Sequence, residues 1–165
     1  DGSRWGLRLI YSYEGPEPLE TGGGMAKALH HLGGGPFIAV NGDVFCDADF
    51  SRLPMQPEAL AHLLMVDNPE HNPGGDFALR PDGRLASDGD ARLTFSGIGV
   101  YRPELLLRCQ SQWRQHGVEH PRFKLAPILR QAMQEGLITG EYHPGLWTDV
   151  GTPERLAALD GALRR

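Results

Sequence analysis

Two aspartates stand where a short apolar run gives way to a turn. Asp43 closes Phe37-Ile38-Ala39-Val40-Asn41-Gly42-Asp43, and Asp149 closes Leu146-Trp147-Thr148-Asp149 ahead of Val150-Gly151. A carboxylate fixed at a strand end is a hard oxygen ligand of the kind Mg²⁺ takes. Taken singly, each aspartate reads at least as well as a cap for the following turn or helix. Taken together, at one edge of one sheet, the two can share a cation that also binds phosphate oxygens. The formal net charge of −5 gives that pairing a purpose, because an acidic chain that handles polyphosphate has to neutralise it locally. A third feature is Thr21-Gly22-Gly23-Gly24 ahead of an apolar periodic run. Glycines at a helix start let backbone N–H groups approach an anion or a carbonyl, although a plain strand-to-helix turn has the same composition.

Other chemistries find little support. His30, His31, His62, His71, His116, His120 and His143 lack a ligand spacing such as His-Glu-x-x-His and read as structural or solvated. There is no Gly-x-Ser-x-Gly elbow for a serine nucleophile. Cys46 and Cys109 lie far apart and suggest neither a disulfide framework nor a metal motif, which fits a reducing, cytoplasmic setting. Met25, Met55, Met65 and Met133 read as core fillers. An acidic chain is a poor partner for a nucleic-acid backbone. No run nears the roughly 20 apolar residues that span a bilayer, so no membrane partner is expected. At 165 residues, 40% of them hydrophobic, the chain has the size and composition of one globular domain spanning 1–165.

The elements that must carry these residues alternate. Leu7–Tyr11 reads as a strand, and a helix over Met25–Leu32 opens at the glycines and stops at Gly33-Gly34-Gly35-Pro36. Phe37–Val40 is wholly apolar, as a parallel strand covered on both faces would be. His62–Val66 reads as a second buried strand, and Phe77–Ala86 as a hairpin around Pro81-Asp82-Gly83. Leu93–Tyr101 follows as a strand with Gly97 and Gly99 at places of close approach. A helix over Leu125–Glu135 stops at Gly136, and the last helix starts with Thr152 as N-cap and Pro153 at its first position. The alternation predicts an α/β class with a mainly parallel sheet and an inserted hairpin. Ligands of such sheets bind at the carboxyl edge of the strands, where all three features lie.

The motifs fall in a familiar order: Glu17-Pro18-Leu19-Glu20-Thr21-Gly22-Gly23-Gly24, Val40-Asn41-Gly42-Asp43, Phe95-Ser96-Gly97-Ile98-Gly99-Val100-Tyr101, Phe123-Lys124-Leu125 and Trp147-Thr148-Asp149-Val150-Gly151-Thr152. In this order the chain resembles the sugar-1-phosphate nucleotidyltransferases over essentially its whole length. The branch that joins UTP to N-acetylmuramate 1-phosphate in bacterial cell-wall recycling is nearest, with mannose-1-phosphate guanylyltransferases next. The resemblance implies a Rossmann-like nucleotidyltransferase fold and a reaction of sugar 1-phosphate with a nucleoside triphosphate to give nucleotide-sugar and pyrophosphate. It further implies that Asp43 and Asp149 hold Mg²⁺ as the catalytic and metal residues. Thr21, Gly22 and Gly42 are implied on the nucleotide, with Asn41, Asp76, Gly97 and Lys124 on the sugar phosphate. The family's glycine-rich loop with Arg and a Pro-Lys pair has no counterpart in this sequence. The resemblance therefore implies a domain lacking its first βα portion, inactive and marginally stable as this chain alone. No Glu-Lys-Pro segment precedes the Ser96-Gly97 strand, which agrees with the muramate branch rather than the glucose and thymidylyl types. A non-catalytic nucleotide-sugar-binding regulatory module of the same fold is the alternative of a different class.

Overall fold

One long strand organises the molecule. The computed structural model describes residues 2–114 and 122–164, so His116 and His120 lie outside the described residues. In chain order the strands are β1 (Phe37–Val40), β2 (Val44–Cys46), β3 (Ala61–Val66), β4 (Phe77–Leu79), β5 (Leu85–Ala86), β6 (Arg92–Tyr101), β7 (Ile138–Tyr142) and β8 (Trp147–Asp149). The helices are α1 (Glu20–Ala28), α2 (Pro103–Arg114), α3 (Leu125–Gln134) and α4 (Pro153–Leu163). β6 pairs with β3 along one side, and on the other with β1 at its C-terminal end and β4 at its start. β7 lies outside β3, and β5 outside β4.

Alternation along the central strands puts a core on each face, because successive side chains of a strand point to opposite sides. Leu63, Met65 and Tyr101 join Leu105, Leu106, Leu129 and Ile138 in the larger core, beneath α1, α2 and α3. Leu64, Ile98 and Val100 join Leu53 in a smaller core on the other face. The α/β class and the inserted hairpin around Pro81-Asp82-Gly83 are both present. The pairing is mixed: β3–β7 is parallel, whereas β1, β3 and β4 all run antiparallel to β6. Phe37–Val40 thus meets an antiparallel neighbour instead of a parallel one, with Phe37, Ile38 and Ala39 half-buried and Val40 exposed.

Two further expectations are corrected. Leu7–Tyr11 forms no strand; Leu7, Leu9, Ile10 and Tyr11 stand exposed, and among the described residues no ladder partner lies along them. Apolar β-type composition makes a strand only when a neighbour supplies its hydrogen bonds. The glycines Gly22–Gly24 lie inside α1 and not ahead of it, because the helix starts earlier, at Glu20. Glu14 enables that early start: its carboxylate accepts from the Leu19 amide at 2.7 Å, near the helix N-terminus where orphan N–H groups and the dipole favour an anion. At the other end α1 runs into a 3₁₀ turn, and left-handed Gly33 and Gly34 (φ +71° and +80°) stop it.

Candidate active site

β2 and β8 form a two-stranded antiparallel ribbon apart from the main sheet, with Val44 opposite Asp149 and Cys46 opposite Trp147. The ribbon is tied at its end by the Val150 amide, which donates to the Asp43 carbonyl at 2.7 Å. It is tied to the sheet by the Trp147 indole N–H, which donates to the Ser96 carbonyl of β6 at 2.9 Å. These ties bring Asp43 and Asp149 together across Gly151. A Cβ built on Gly151 would stand 3.3 Å from Arg155 Nη2, 3.4 Å from Asp43 Oδ2 and 4.0 Å from Asp149 Oδ1, so both carboxylates and the guanidinium border one small volume.

That volume opens into a cavity of about 280 Å³ lined by Asp43, Asp149, Asn41, His71, Ser96 and Arg155. Asp149 is neutralised by two cationic or hydrogen-bonding neighbours: His71 Nε2 lies 2.7 Å from Oδ2, and the Arg155 guanidinium contacts Oδ1. The same arginine reaches the His71 ring at 3.2 Å, so the three groups form one cluster. Sequence reasoning passed over both partners. Arg155 carries a signal, since a cation in the first turn of a helix opposes the macrodipole and so needs an anion nearby. His71, in a loop of Asn, Pro and Gly, carries none.

A second cavity of about 390 Å³ lies between α1, β1, β6 and α3. Thr21, Asn41, Asp76, Gly97 and Lys124 all line it, which places five of the residues expected to touch ligand around one space. Asn41 and Phe95 line both cavities and form their shared wall. Gly97 is left-handed (φ +79°), and its amide oxygen accepts from the Asn41 amide at 2.9 Å. Asp76 is oriented by the Phe95 amide, which donates to its carboxylate at 2.9 Å. Lys124 sits at the N-cap of α3 with its side chain exposed. Arg130 also reaches this cavity from α3, over the face of Phe77 at 5.6 Å, a cation–π contact that sequence alone did not suggest.

Two glycines fall outside these walls. Gly22 is buried in α1 against the ring of Phe123, on which a Cβ would land, so packing accounts for the absence of a side chain there. Gly42 is exposed, with open space around it.

An α/β sheet thus brings two aspartates to a polar cavity beside its central strand. In fold, the chain is similar to a Bacillus anthracis protein given as a glucose-1-phosphate thymidylyltransferase, with TM-score 0.73 at 15% identity over 99% of this chain and 68% of that one. Two relatives in sequence carry the name N-acetylmuramate alpha-1-phosphate uridylyltransferase. That of Neisseria meningitidis is 46% identical over 98% of this chain and 71% of its own length. That of Caulobacter vibrioides is 30% identical over 94% of this chain and 66% of its own. No family profile matches the chain. The chain belongs to the N-acetylmuramate α-1-phosphate uridylyltransferase family of sugar-phosphate nucleotidyltransferases.

Proposed function

We propose that this chain carries the transfer site of an enzyme that makes UDP-N-acetylmuramate from UTP and N-acetylmuramate α-1-phosphate, releasing pyrophosphate, in cytoplasmic cell-wall recycling. The observation that carries the reading is the convergence of Asp43 and Asp149 on Gly151, beside the wall at Asn41 that separates the two cavities. Two carboxylates facing one small volume are a donor set of hard oxygens, which suits Mg²⁺. When bound there, Mg²⁺ supplies charge neutralisation for the phosphates. The Asp149 oxygens are those that His71 and Arg155 contact, so a cation and these side chains compete for one carboxylate.

The transfer joins a sugar-phosphate oxygen to the α-phosphorus of UTP as the bond from that phosphorus to pyrophosphate breaks. The nucleophile is already an anion and needs no base, so the chain's work is placement and electrostatics. Asn41, Asp76 and Gly97 position the sugar phosphate, with Lys124 near a phosphate, and Thr21 together with Gly42 serves the nucleotide. Gly22 serves the nucleotide through its backbone, held in place by the packing of α1 on Phe123. The 165 residues form a single nucleotidyltransferase domain in this reading.

Pyrophosphate release with N-acetylmuramate 1-phosphate and Mg²⁺, measured on the intact protein with UTP, GTP, CTP, ATP and dTTP in parallel, tests the proposal. UTP is expected to be strongly preferred, and Asp43→Asn or Asp149→Asn to lower kcat by about 100-fold or more, the usual cost of losing a central electrostatic group. Full activity in either variant, or no turnover of this sugar with any nucleotide, overturns it.

A further inference from the structure

We propose that the far end of the β2–β8 ribbon binds a divalent transition-metal ion through Cys46, Asp47 and His143, at a site separate from the Asp43–Asp149 pair. The ligand atoms of these three side chains all lie within 4.8 Å of one another. Asp47 Oδ1 and His143 Nε2 are 2.7 Å apart. Metal–ligand distances of about 2.0–2.3 Å at a tetrahedral centre put donor atoms roughly 3.3–3.7 Å apart, so these groups need shifts of about 1 Å.

The backbone has already placed them. The Asp47 amide donates to the Leu146 carbonyl at 3.1 Å, and the His143 amide to the Met65 carbonyl at 2.8 Å. The ribbon is thus closed on itself behind Asp47, while His143 is anchored to the edge of the main sheet. Gly145 keeps the volume between them clear: a Cβ there would press on the Asp47 carboxylate and stand 2.5 Å from His143 Nε2. The site opens on a cavity of about 540 Å³ lined by Asp49, Arg52, Glu141 and Tyr142, which leaves a coordination position for water or a further donor.

The donor set decides the metal class. A thiol, an imidazole and a carboxylate favour a borderline cation of the Zn²⁺ and Co²⁺ kind, whereas Mg²⁺ prefers oxygen alone. Burial pushes the Cys46 thiol pKa up, the Ala48 amide hydrogen bond opposes it, and the Asp47 charge adds to the rise. Metal therefore displaces a proton on binding, and affinity rises with pH. Sequence reading missed this site because the three residues share no spacing motif; the β2–β8 pairing and the anchoring of His143 beside β3 bring Cys46 and Asp47 to His143.

Cobalt titration of the intact protein carrying Cys109→Ser, which leaves Cys46 as the one thiol of this sequence, tests the proposal. One Co²⁺ per chain is expected, with an intense near-ultraviolet thiolate-to-cobalt band that Zn²⁺ displaces and excess Mg²⁺ does not. Cys46→Ser should abolish the band, His143→Gln should weaken binding by roughly tenfold or more, and Asp43→Asn should leave it intact. Zn²⁺ should also slow alkylation of Cys46, a readout that needs no substitution at the site. Absence of the band in the folded protein, or its survival in Cys46→Ser, overturns the proposal. Its loss in Asp43→Asn would move the ion to the other end of the ribbon and overturn it equally.

Discussion

Replacing Gly97 with alanine is the sharpest single test of how the two cavities are divided. Gly97 holds φ at +79°, a conformation that costs a residue with a Cβ about 1–2 kcal/mol. The added methyl would stand 2.6 Å from Asn41 Nδ2 and 2.7 Å from its Cγ, closer than real carbons approach. Rotation of the Asn41 side chain relieves only part of this, because its backbone amide, bonded to the Gly97 carbonyl, keeps its Cβ 3.0 Å from the new methyl. Overpacking of this kind costs about 1–3 kcal/mol, so the combined loss is roughly 2–5 kcal/mol. Urea unfolding of the intact protein, followed by tryptophan fluorescence, should move its midpoint down by on the order of 1 M with the slope unchanged. Turnover should fall along with it, since the displaced Asn41 is the wall between the proposed sugar and metal regions. Gly42→Ala is the control: nothing lies within 4 Å of the new methyl, and stability should change by under about 1 kcal/mol. A Gly97→Ala protein with wild-type midpoint and kcat/KM would refute the steric reasoning, and with it the role of Asn41 as a dividing wall.

Three other outcomes follow from local geometry. Thr152→Ala removes the hydroxyl that accepts from the Arg155 amide at 3.3 Å; differential scanning calorimetry should show a loss of about 0.5–2 kcal/mol, or a few degrees in Tm. Gly22→Ala gains about 0.5–1 kcal/mol of helix propensity but meets the Phe123 ring, so denaturation should show net destabilisation of about 1–2 kcal/mol, partly relieved in the Gly22→Ala/Phe123→Leu double variant. The His62 ring is held below its ordinary pKa of 6.5, chiefly by burial and against the attraction of Glu141. The unfolded chain then binds the proton more readily, so this contribution is complete above pH 6.5 and is lost as pH falls through the lower folded value. Unfolding curves of His62→Gln taken at several pH values below 6.5 should therefore depend less on pH than those of the unsubstituted protein.

How far the residues spoke for themselves depends on how local their signals are. Thr152 and Pro153 mark the start of α4 correctly because capping is settled within one turn. Gly136 at φ +70° and the Pro81-Asp82-Gly83 turn are legible for the same reason. Leu7–Tyr11 misleads because composition reports a preference for strand while the ladder depends on a neighbour. α2 opens with Pro103-Glu104 but lacks the capping hydroxyl that α4 has, since Arg102 precedes it, and the apolar run Leu105-Leu106-Leu107 obscures its period. β7 contains a glycine and no clear alternation, and only its parallel register with β3 makes it a strand. At the site, the two aspartates drew notice because each follows an apolar run, and their meeting at Gly151 is a matter of tertiary pairing. His71 and Arg155, which hold Asp149, reach it from elements whose relation no spacing encodes.

The ribbon that carries these aspartates also has a bearing on the order of assembly. Its two strands are separated by residues 47–146, so closing it means ordering a long stretch of chain. The pairing that results is only three residues long and closes two acidic side chains upon each other. The last contact to form, and the first to open in the native state, is then the one that completes the anionic pair. A cation that binds only the closed ribbon raises the free energy of that opening by mass action. The Val150 amide, bonded to the Asp43 carbonyl, is the reporter: its hydrogen exchange should slow as Mg²⁺ is added, while amides of β6 should keep their rates. In the proposed reading, the ion that serves the phosphates would also complete the ribbon.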